Sequence, residues 1–405
     1  MNLTSPASVG FSAERLQRLS AMLQGYIGRG DLAGLSATVA RQGKTIYYEK
    51  FGWMDKEAQK PIQDDTIFII ASMTKPITAL ATMMLYEEGH FHLNTPIAKF
   101  IPAFKETKVC AGVAEDGQLI LADLARPVTF RHLFTHTAGL SYGWNEKDAV
   151  DREYRKVQQR YEQEQRPMTL ADFAAGIAQL PLAFQPGSKW RYSMSIDLLG
   201  GLVQIISGLP FEQFLAERIF KPLGMNDTAF YVPAEKMGRA AAVYGHPDPT
   251  KGLERLNHIR PASEPPPFPS PGGGLVSTLS DYARFCQMLV NGGELDGVRL
   301  LSPKTVELFS LNHTPAEALP YGFAENDLYH AGYGYSLGTR VLMDVSQTGL
   351  AGSVGEFGWD GAFATYFWVD PKEALYGLMM LQHAPNAYFP IHQQFKQLVY
   401  QSILR

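Results

Sequence analysis

Cysteine is scarce in this sequence: Cys110 and Cys286 are the only two in 405 residues. They stand far apart and fit neither a CxxC motif nor the ligand spacing of a metal site. The pattern is not that of a small secreted domain held together by disulfides. We predict two free, largely buried thiols.

An excess of positive charge is also missing. Lysine and arginine total 36 against 40 aspartates and glutamates, which gives a formal net charge of −4, and no local basic patch stands out. A protein that binds nucleic acid needs a basic surface to contact the phosphate backbone. Composition therefore argues against nucleic acid as a partner.

Long hydrophobic runs are absent too, since no stretch is apolar for the 18 consecutive residues that a membrane-spanning helix needs. The first residues, MNLTSPASVGFSAERLQRL, show no charged leader followed by an apolar run, as a secretory signal would. We therefore expect no membrane segment and, by default, a cytoplasmic location. With 45% hydrophobic and 19% charged residues, the composition is typical of a globular protein with two or three structural units.

The two ends of the chain carry strand-like patterns. Two β-rich runs, at residues 35–41 and 44–53, flank Gln42 and Gly43, which form a two-residue turn signal. Three further strands are predicted near the C-terminus, at residues 334–343, 362–369 and 375–381. Helical periodicity fills most of the chain between these two ends.

This order predicts an α+β fold. We expect one antiparallel sheet built from both termini with flanking helices, plus an inserted, mostly helical subdomain. Residues 1–75 and 330–405 would form the sheet-bearing domain and residues 76–329 the helical domain. The active site would lie in the cleft between them.

Residues 68–89, FIIASMTKPITALATMMLYEEG, form the most informative stretch. An apolar helical pattern follows Ser72 and ends at Gly89. The three-residue spacing puts Ser72 and Lys75 on one helix face, so the lysine nitrogen can reach the serine hydroxyl. This is the geometry of an activated nucleophile, and the first turn of a helix leaves the Ser72 amide free to face an oxyanion.

Two later segments join this motif: Tyr192, in Tyr-Ser-Met-Ser, and residues 358–362, Gly-Trp-Asp-Gly-Ala. Ser-x-x-Lys, Tyr-Ser-x-Ser and Trp-x-Gly, in this order, resemble the family VIII carboxylesterases, which share the fold of class C β-lactamases and penicillin-binding proteins. The segments THTAGL at 135–140, KPLGM at 221–225 and GGGL from residue 272 resemble the same superfamily. The resemblance covers nearly the whole chain.

The resemblance implies a β-lactamase/transpeptidase-like fold and an acyl-enzyme mechanism. It implies that Ser72 is the acylated nucleophile, that Lys75 and Tyr192 transfer protons, and that the backbone amides of Ser72 and Ala362 form the oxyanion hole. Lysine and tyrosine both have ordinary pKa values of ~10, which is too high for an efficient base at pH 7. In a cleft, burial lowers the pKa of the amine, and a nearby ammonium lowers the pKa of the phenol, so the identity of the base stays open. Our hypothesis is that Tyr192, held anionic or strongly hydrogen-bonded by Lys75, is the base in acylation.

Departures from the β-lactamase pattern bear on the substrate. Where lactamases of this fold carry Tyr-x-Asn and Lys-Thr-Gly, this chain has Met194 and Trp359. Without that amide and that cation, neutral short-chain or aryl esters are favoured over β-lactams, and Asp360 adds a charge that would repel anionic acids. We predict that the substrate-binding residues are Trp144, Met194, Trp359, Asp360 and Gly361.

Three other patterns require attention. Ser141 lies in a G-x-S-x-G sequence, which is the nucleophile elbow of α/β-hydrolases, but it follows a helix-like stretch and not a strand of a parallel sheet. His132 and His136 have a spacing that could ligate zinc, but no third ligand accompanies them, so packing or capping roles are favoured. No metal and no cofactor is predicted. Residues 145–166 are highly charged and predict a surface helix, either a solvated excursion or a lid.

The predicted function is a serine carboxylesterase acting on small-molecule esters. The enzymatic alternatives are a β-lactamase or D-Ala-D-Ala peptidase and an acyltransferase on the same scaffold. The non-enzymatic alternative is a ligand-sensing or peptidoglycan-binding module. Oligomeric state, a homo-oligomer included, is left open.

Overall fold

The structure is a computed structural model that describes residues 2–163, 167–248, 250–322 and 331–405. Its strands, in chain order, are β1 (Gly34–Arg41), β2 (Lys44–Asp55), β3 (Lys60–Pro61), β4 (Ile67–Ile69), β5 (Val109–Val113), β6 (Leu119–Ala122), β7 (Tyr244–Gly245), β8 (Glu254–Arg255), β9 (Val276–Thr278), β10 (Glu294–Leu295), β11 (Val298–Arg299), β12 (Tyr333–Tyr335), β13 (Arg340–Leu342), β14 (Phe357–Asp360), β15 (Tyr366–Asp370), β16 (Leu375–Leu381) and β17 (His383–Ala384). Its α-helices are α1 (Ala13–Gly28), α2 (Thr74–Glu87), α3 (Phe130–Phe134), α4 (Ala149–Gln163), α5 (Leu170–Gly176), α6 (Ser195–Ser207), α7 (Phe211–Leu215), α8 (Lys221–Leu223), α9 (Leu279–Val290), α10 (Pro303–Glu307), α11 (Val345–Thr348) and α12 (Ile391–Tyr400).

The main sheet has the strand order β12-β13-β14-β15-β16-β1-β2-β3, and every neighbouring pair is antiparallel. Its strands come from residues 34–61 and 333–381, so β1 beside β16 joins the two ends of the chain. The predicted α+β fold with a sheet built from both termini is confirmed. The domain boundary at residues 75/76 stays a prediction, and the one at 329/330 falls outside the described residues.

Strand β16 shows how the sheet separates two cores. Its side chains alternate: Tyr376, Leu378 and Met380 pack into one hydrophobic cluster, and Leu375, Met379 and Leu381 into the other. The second cluster contains the apolar faces of α1 and α12, and the first contains α2, α6 and α9. A strand that is buried on both faces reads as a nearly continuous apolar run, and residues 375–381, predicted as a strand, have such a sequence.

The C-terminal strands differ in detail from the prediction. The single strand expected at 334–343 is the hairpin formed by β12 and β13, which turns at Gly338 with φ of 72°. The strand expected at 362–369 begins only at β15, because residues 361–365 form a turn in which Ala364 has φ of 67°. Strand β14 was not predicted at all. Short strands next to tight turns carry too few residues for a period of two to show.

The N-terminal hairpin follows the prediction more closely. Gln42 and Gly43 both have positive φ, 53° and 74°, as a two-residue hairpin turn requires. Cys110 and Cys286 are free thiols, the first half-buried and the second buried.

Across the described residues, no single helix has the length and hydropathy of a membrane span. One pair of consecutive helices reaches the required length and hydropathy only when both helices are counted together. These are Ser195–Ser207 and Phe211–Leu223, which are bent by 83° relative to each other. Both members of this pair contribute to the first hydrophobic cluster.

Candidate active site

Ser72 lies where strand β4 gives way to helix α2. A 3₁₀ turn, Ala71–Met73, precedes the first residue of α2, so Ser72 sits one turn before the regular helix and not inside it. Ala71 has φ of 43°, a left-handed conformation that costs about 1–3 kcal/mol in a residue with a Cβ atom. This bend turns the half-buried Ser72 toward a cavity that its side chain helps to line.

Lys75 stands on the first turn of α2 with its nitrogen directed at Ser72. Its Nζ donates a hydrogen bond to Ser72 Oγ over 3.2 Å and a shorter one to the carbonyl of Gly272. The residue is 1% exposed. Burial lowers the pKa of Lys75 to about 8, and the negative charges of Asp197 and Asp360 limit that fall.

Asp197, on the first turn of α6, supports Lys75 through a glycine loop. Its carboxylate accepts hydrogen bonds from the backbone N–H of Gly272 at 2.9 Å and from Ser270 Oγ at 2.8 Å. A Cβ at position 272 would come within 2.3 Å of Asp197 Oδ2, so only glycine fits there. The glycines stand out in the sequence, whereas Asp197 was not predicted, since no motif marks a lone acid on an apolar helix.

Tyr192 also contacts Ser72, next to Lys75. Its hydroxyl donates to Ser72 Oγ over 2.8 Å, and its ring centroid lies 4.5 Å from Lys75 Nζ. Burial raises the pKa of the Tyr192 phenol above its usual range, although hydrogen bonds with Ser72 and Trp359 oppose the rise. The three residues predicted to be catalytic therefore meet at one point, with a neutral phenol favoured over a phenolate.

An aromatic cluster holds the Tyr192 ring in place. The ring lies 4.7 Å from His136, 5.9 Å from Trp359 and 6.0 Å from Trp190, measured between centroids. His136 is buried behind Tyr192, and its Nδ1 contacts Ser193. It is thus a packing residue, while His132 accepts from the Thr129 N–H and caps helix α3.

The turn at residues 361–365 carries Ala362, which also lines the cavity. Gly361 N–H donates to Thr365 O at 2.8 Å, and a Cβ on Gly361 would lie 2.5 Å from the carbonyl oxygen of Ile70. Glycine at this position therefore lets the turn approach the segment that carries Ser72. In the described part of the chain, the Ala362 N–H donates to no backbone or side-chain acceptor.

The cavity in front of Ser72 has a volume of about 610 Å³. Of the predicted substrate-binding residues, Trp144, Trp359 and Asp360 line it. Met194 packs against the hydrophobic core, and Gly361 acts through its backbone, so neither is part of the lining that the structure describes. A second wall of the cavity was not predicted and consists of residues 386–390, His392 and Gln393.

Asp360, which is predicted to add a negative charge beside the site, is paired in the structure. Arg340 donates to its Oδ1 at 3.1 Å, and Asn386 donates to its Oδ2 at 2.8 Å. Arg340 is nearly buried, and its guanidinium lies 5.7 Å from the centre of the Trp359 ring. A cation therefore does stand near the position of the lactamase lysine, but it is bound to Asp360.

Helix α4 is joined to the loop that carries Tyr192. Arg191 bonds Asp151 at 2.6 Å and Asp148 at 3.1 Å, both at the start of the helix. Ser141 donates to the same Asp151 and is buried, which leaves it without the exposed position that a nucleophile elbow needs. The predicted helix 145–166 is therefore anchored at its beginning, and residues 164–166 lie outside the described part of the chain.

Comparison with known proteins fits this geometry. Residues 19–401 match the family model described as Beta-lactamase, so the chain belongs to the Beta-lactamase family. Protein Rv1367c of Mycobacterium tuberculosis is 36% identical over 364 residues, covering 88% of this chain and 87% of the relative. Esterase EstB of Burkholderia gladioli is 29% identical over 389 residues, covering 92% of each.

Solved structures show the same fold. Simvastatin synthase (LovD) from Aspergillus terreus superposes with a TM-score of 0.80 at 22% identity, covering 96% of this chain and 98% of that one. EstCE1, a hydrolase with promiscuous acyltransferase activity, gives a TM-score of 0.77 at 24% identity, covering 95% and 98%. Together with the curated relatives, they confirm the predicted class: a β-lactamase-like serine hydrolase related to the family VIII esterases.

Proposed function

We propose that this protein hydrolyses small carboxylic esters through an acyl-enzyme formed on Ser72. The observation that carries the proposal is the position of Ser72 Oγ, which lies 3.2 Å from Lys75 Nζ and 2.8 Å from Tyr192 Oη at the wall of an open cavity. A serine that contacts two proton-transfer groups is an activated nucleophile. Two relatives support ester chemistry. One is Esterase EstB, and the other is the lovastatin esterase of Penicillium rubens, which is 28% identical to this chain over 387 residues.

In acylation, Ser72 attacks the ester carbonyl and gives up its proton as the new C–O bond forms. We assign the neutral amine of Lys75 as the base, since burial lowers its pKa toward neutrality and raises that of Tyr192 away from it. Tyr192 then passes a proton to the leaving alcohol and regains one from Lys75. The amides of Ser72 and Ala362 would stabilise the oxyanion.

Water reverses these roles in deacylation. It loses a proton through Tyr192 and Lys75 as it attacks the acyl carbon, and Ser72 recovers a proton when its bond to the acyl group breaks. The acid is released and the starting protonation state returns. No group outside the three side chains and the two amides is needed.

The pH dependence distinguishes Lys75 from Tyr192 as the base. If neutral Lys75 is required, kcat/KM rises about tenfold per pH unit up to its pKa of about 8 and is level above it. If Tyr192 phenolate were required, the rise would continue past pH 10, because burial raises that pKa. A pH series from 6 to 10 with a substrate that does not titrate decides between them.

Covalent labelling tests the nucleophile. A fluorophosphonate probe is expected to add one adduct, located on Ser72 by mass spectrometry, and Ser72→Ala should remove it. Ser141→Ala is a matched control, because that serine is buried and bonded to Asp151. A wild-type protein that forms no adduct would support the binding-module alternative instead.

Selectivity between esters and β-lactams tests the substrate class. We expect kcat/KM for p-nitrophenyl butyrate to exceed that for nitrocefin by about a hundredfold or more, because Met194 offers no amide and Arg340 is already bound to Asp360. A ratio near or below one would indicate a lactamase.

Acyl transfer to an alcohol is a second candidate, favoured by one relative. Acyltransferase CalJ of Penicillium decumbens is 28% identical over 372 residues, covering 85% of this chain and 82% of the relative. An alcohol in the open cavity could replace water at the acyl-enzyme. Product analysis with added alcohol measures how the acyl-enzyme divides between alcohol and water. A ratio of new ester to free acid above the concentration ratio of alcohol to water identifies a transferase, and free acid as the main product identifies a hydrolase.

A further inference from the structure

The lining of the cavity carries negative charge. Among its described residues, Asp360 has a formal charge, and lysine and arginine are absent. Lys75 and Arg340 stand behind the surface, 1% and 4% exposed, whereas the Asp360 side chain is 19% exposed. The pair between Arg340 and Asp360 is therefore a dipole whose negative end faces the cavity.

Aromatic side chains line the same cavity as Asp360. Trp144 is 64% exposed, lines the cavity, and stacks on Tyr142 with 4.3 Å between centroids. Its ring lies 6.1 Å from that of Tyr192, which is itself 5.9 Å from Trp359. The faces of tryptophan and tyrosine rings attract cations, and such rings beside an anion form the usual binding site for a quaternary ammonium group.

Resting on the proposed esterase function, we propose that the cavity selects esters that carry a positive charge, with a quaternary ammonium group held against Asp360 and the exposed ring of Trp144. Arg340 and Asn386 fix the carboxylate from behind, so its orientation does not depend on the substrate. The cavity of about 610 Å³ holds an ester and such a group together.

A bound cation would also act on Lys75. Asp197 and Asp360 are the acids whose charges face the Lys75 amine, with the phenols of Tyr142 and Tyr192 beside it. A second positive charge near Asp360 opposes protonation of Lys75, so the cationic substrate favours the amine that proton transfer needs. A neutral ester gains no such effect.

The test compares butyrylcholine with 3,3-dimethylbutyl butyrate, which has the same shape with carbon in place of the charged nitrogen. We expect kcat/KM to be about tenfold or more higher for butyrylcholine at low salt, and the ratio to fall as ionic strength rises. Tetramethylammonium should inhibit p-nitrophenyl butyrate hydrolysis competitively. A ratio at or below one in the wild type overturns the proposal.

Variants locate the effect. Asp360→Asn is expected to reduce the ratio to about one or less, since it leaves Arg340 positive, and an unchanged ratio would overturn the proposal. Trp144→Leu, at an exposed side chain, should reduce the ratio about threefold even if Asp360→Asn does not fold. Asp116→Asn, in the exposed turn between β5 and β6, controls for the loss of one negative charge.

The two proposals fail in different ways. If p-nitrophenyl butyrate is hydrolysed and Ser72 is labelled but butyrylcholine has no advantage, cation selection is wrong and the esterase function stands. If no ester is hydrolysed and no adduct forms, the esterase function itself is wrong.

Discussion

Replacing Lys75 by methionine is expected to lower kcat/KM for p-nitrophenyl butyrate by about a thousandfold or more, which is the upper range for loss of a positioned base. Methionine has a similar length and no charge, so the change removes the amine that lies 3.2 Å from Ser72 without placing a new charge in the core. Ester hydrolysis and fluorophosphonate labelling should fall together, because both need an activated Ser72. Measurement of kcat/KM and of the labelling rate checks this.

The fold of the Lys75→Met variant is expected to survive with reduced stability. The change leaves the buried Asp197 carboxylate without the nearby ammonium, although Asp197 keeps its hydrogen bonds from Gly272 and Ser270, and the Gly272 carbonyl loses a donor. Lys99→Met is a suitable control, since Lys99 also lies over an aromatic ring, at 5.5 Å from Phe100, but is exposed and away from the cavity. Turnover of Lys75→Met within tenfold of the wild type would remove Lys75 from the mechanism.

The meeting of Ser72 and Lys75 was predictable because it is local. Three residues of separation on a helical segment fix their distance whatever the rest of the chain does. The start of the helix was less accurate: the pattern predicts that Ser72 opens it, whereas a 3₁₀ turn with a strained Ala71 stands there. The periodicity of the sequence cannot show the backbone strain at Ala71. That strain depends on how the neighbouring strand β4, which pairs with β9, positions the chain.

Tyr192 and Ala362 were carried to the site by resemblance, since neither has a local signal. Their positions depend on packing between segments that lie far apart in the chain. The same holds for Asp197, which contacts Gly272 across 75 residues, and for Asn386, which bonds Asp360. Neither residue was predicted, because a single buried acid or a single amide in a loop has no sequence pattern.

Charge was the least predictable property of the site. From sequence, Asp360 looks like an added anion and the lactamase cation looks lost. In the structure Arg340, from the neighbouring strand β13, supplies a cation that the register of β13 against β14 places opposite this region. Which charges face the cavity is decided by burial, and burial is a property of the folded chain.

Replacing Tyr192 by phenylalanine is expected to affect esters according to their leaving groups. Under the proposed mechanism Tyr192 delivers the proton to the departing alcohol in acylation, so kcat/KM for ethyl butyrate should fall about a thousandfold. Nitrophenolate leaves without a proton, and kcat/KM for p-nitrophenyl butyrate, which does not include deacylation, should fall by only about tenfold. The ring remains, and with it the packing against His136 and Trp359.

Tyr335→Phe is the matched control for this variant. Tyr335 belongs to the same aromatic cluster, and within the described residues its buried hydroxyl has no hydrogen-bond partner. Its removal should leave both esters within about threefold of the wild type. If Tyr192→Phe slows the two esters equally, Tyr192 is not the proton donor to the leaving group. The pH profile of this variant tests the base separately. If the profile loses the rise that ends near the Lys75 pKa of about 8, the assignment of Lys75 as base is wrong as well.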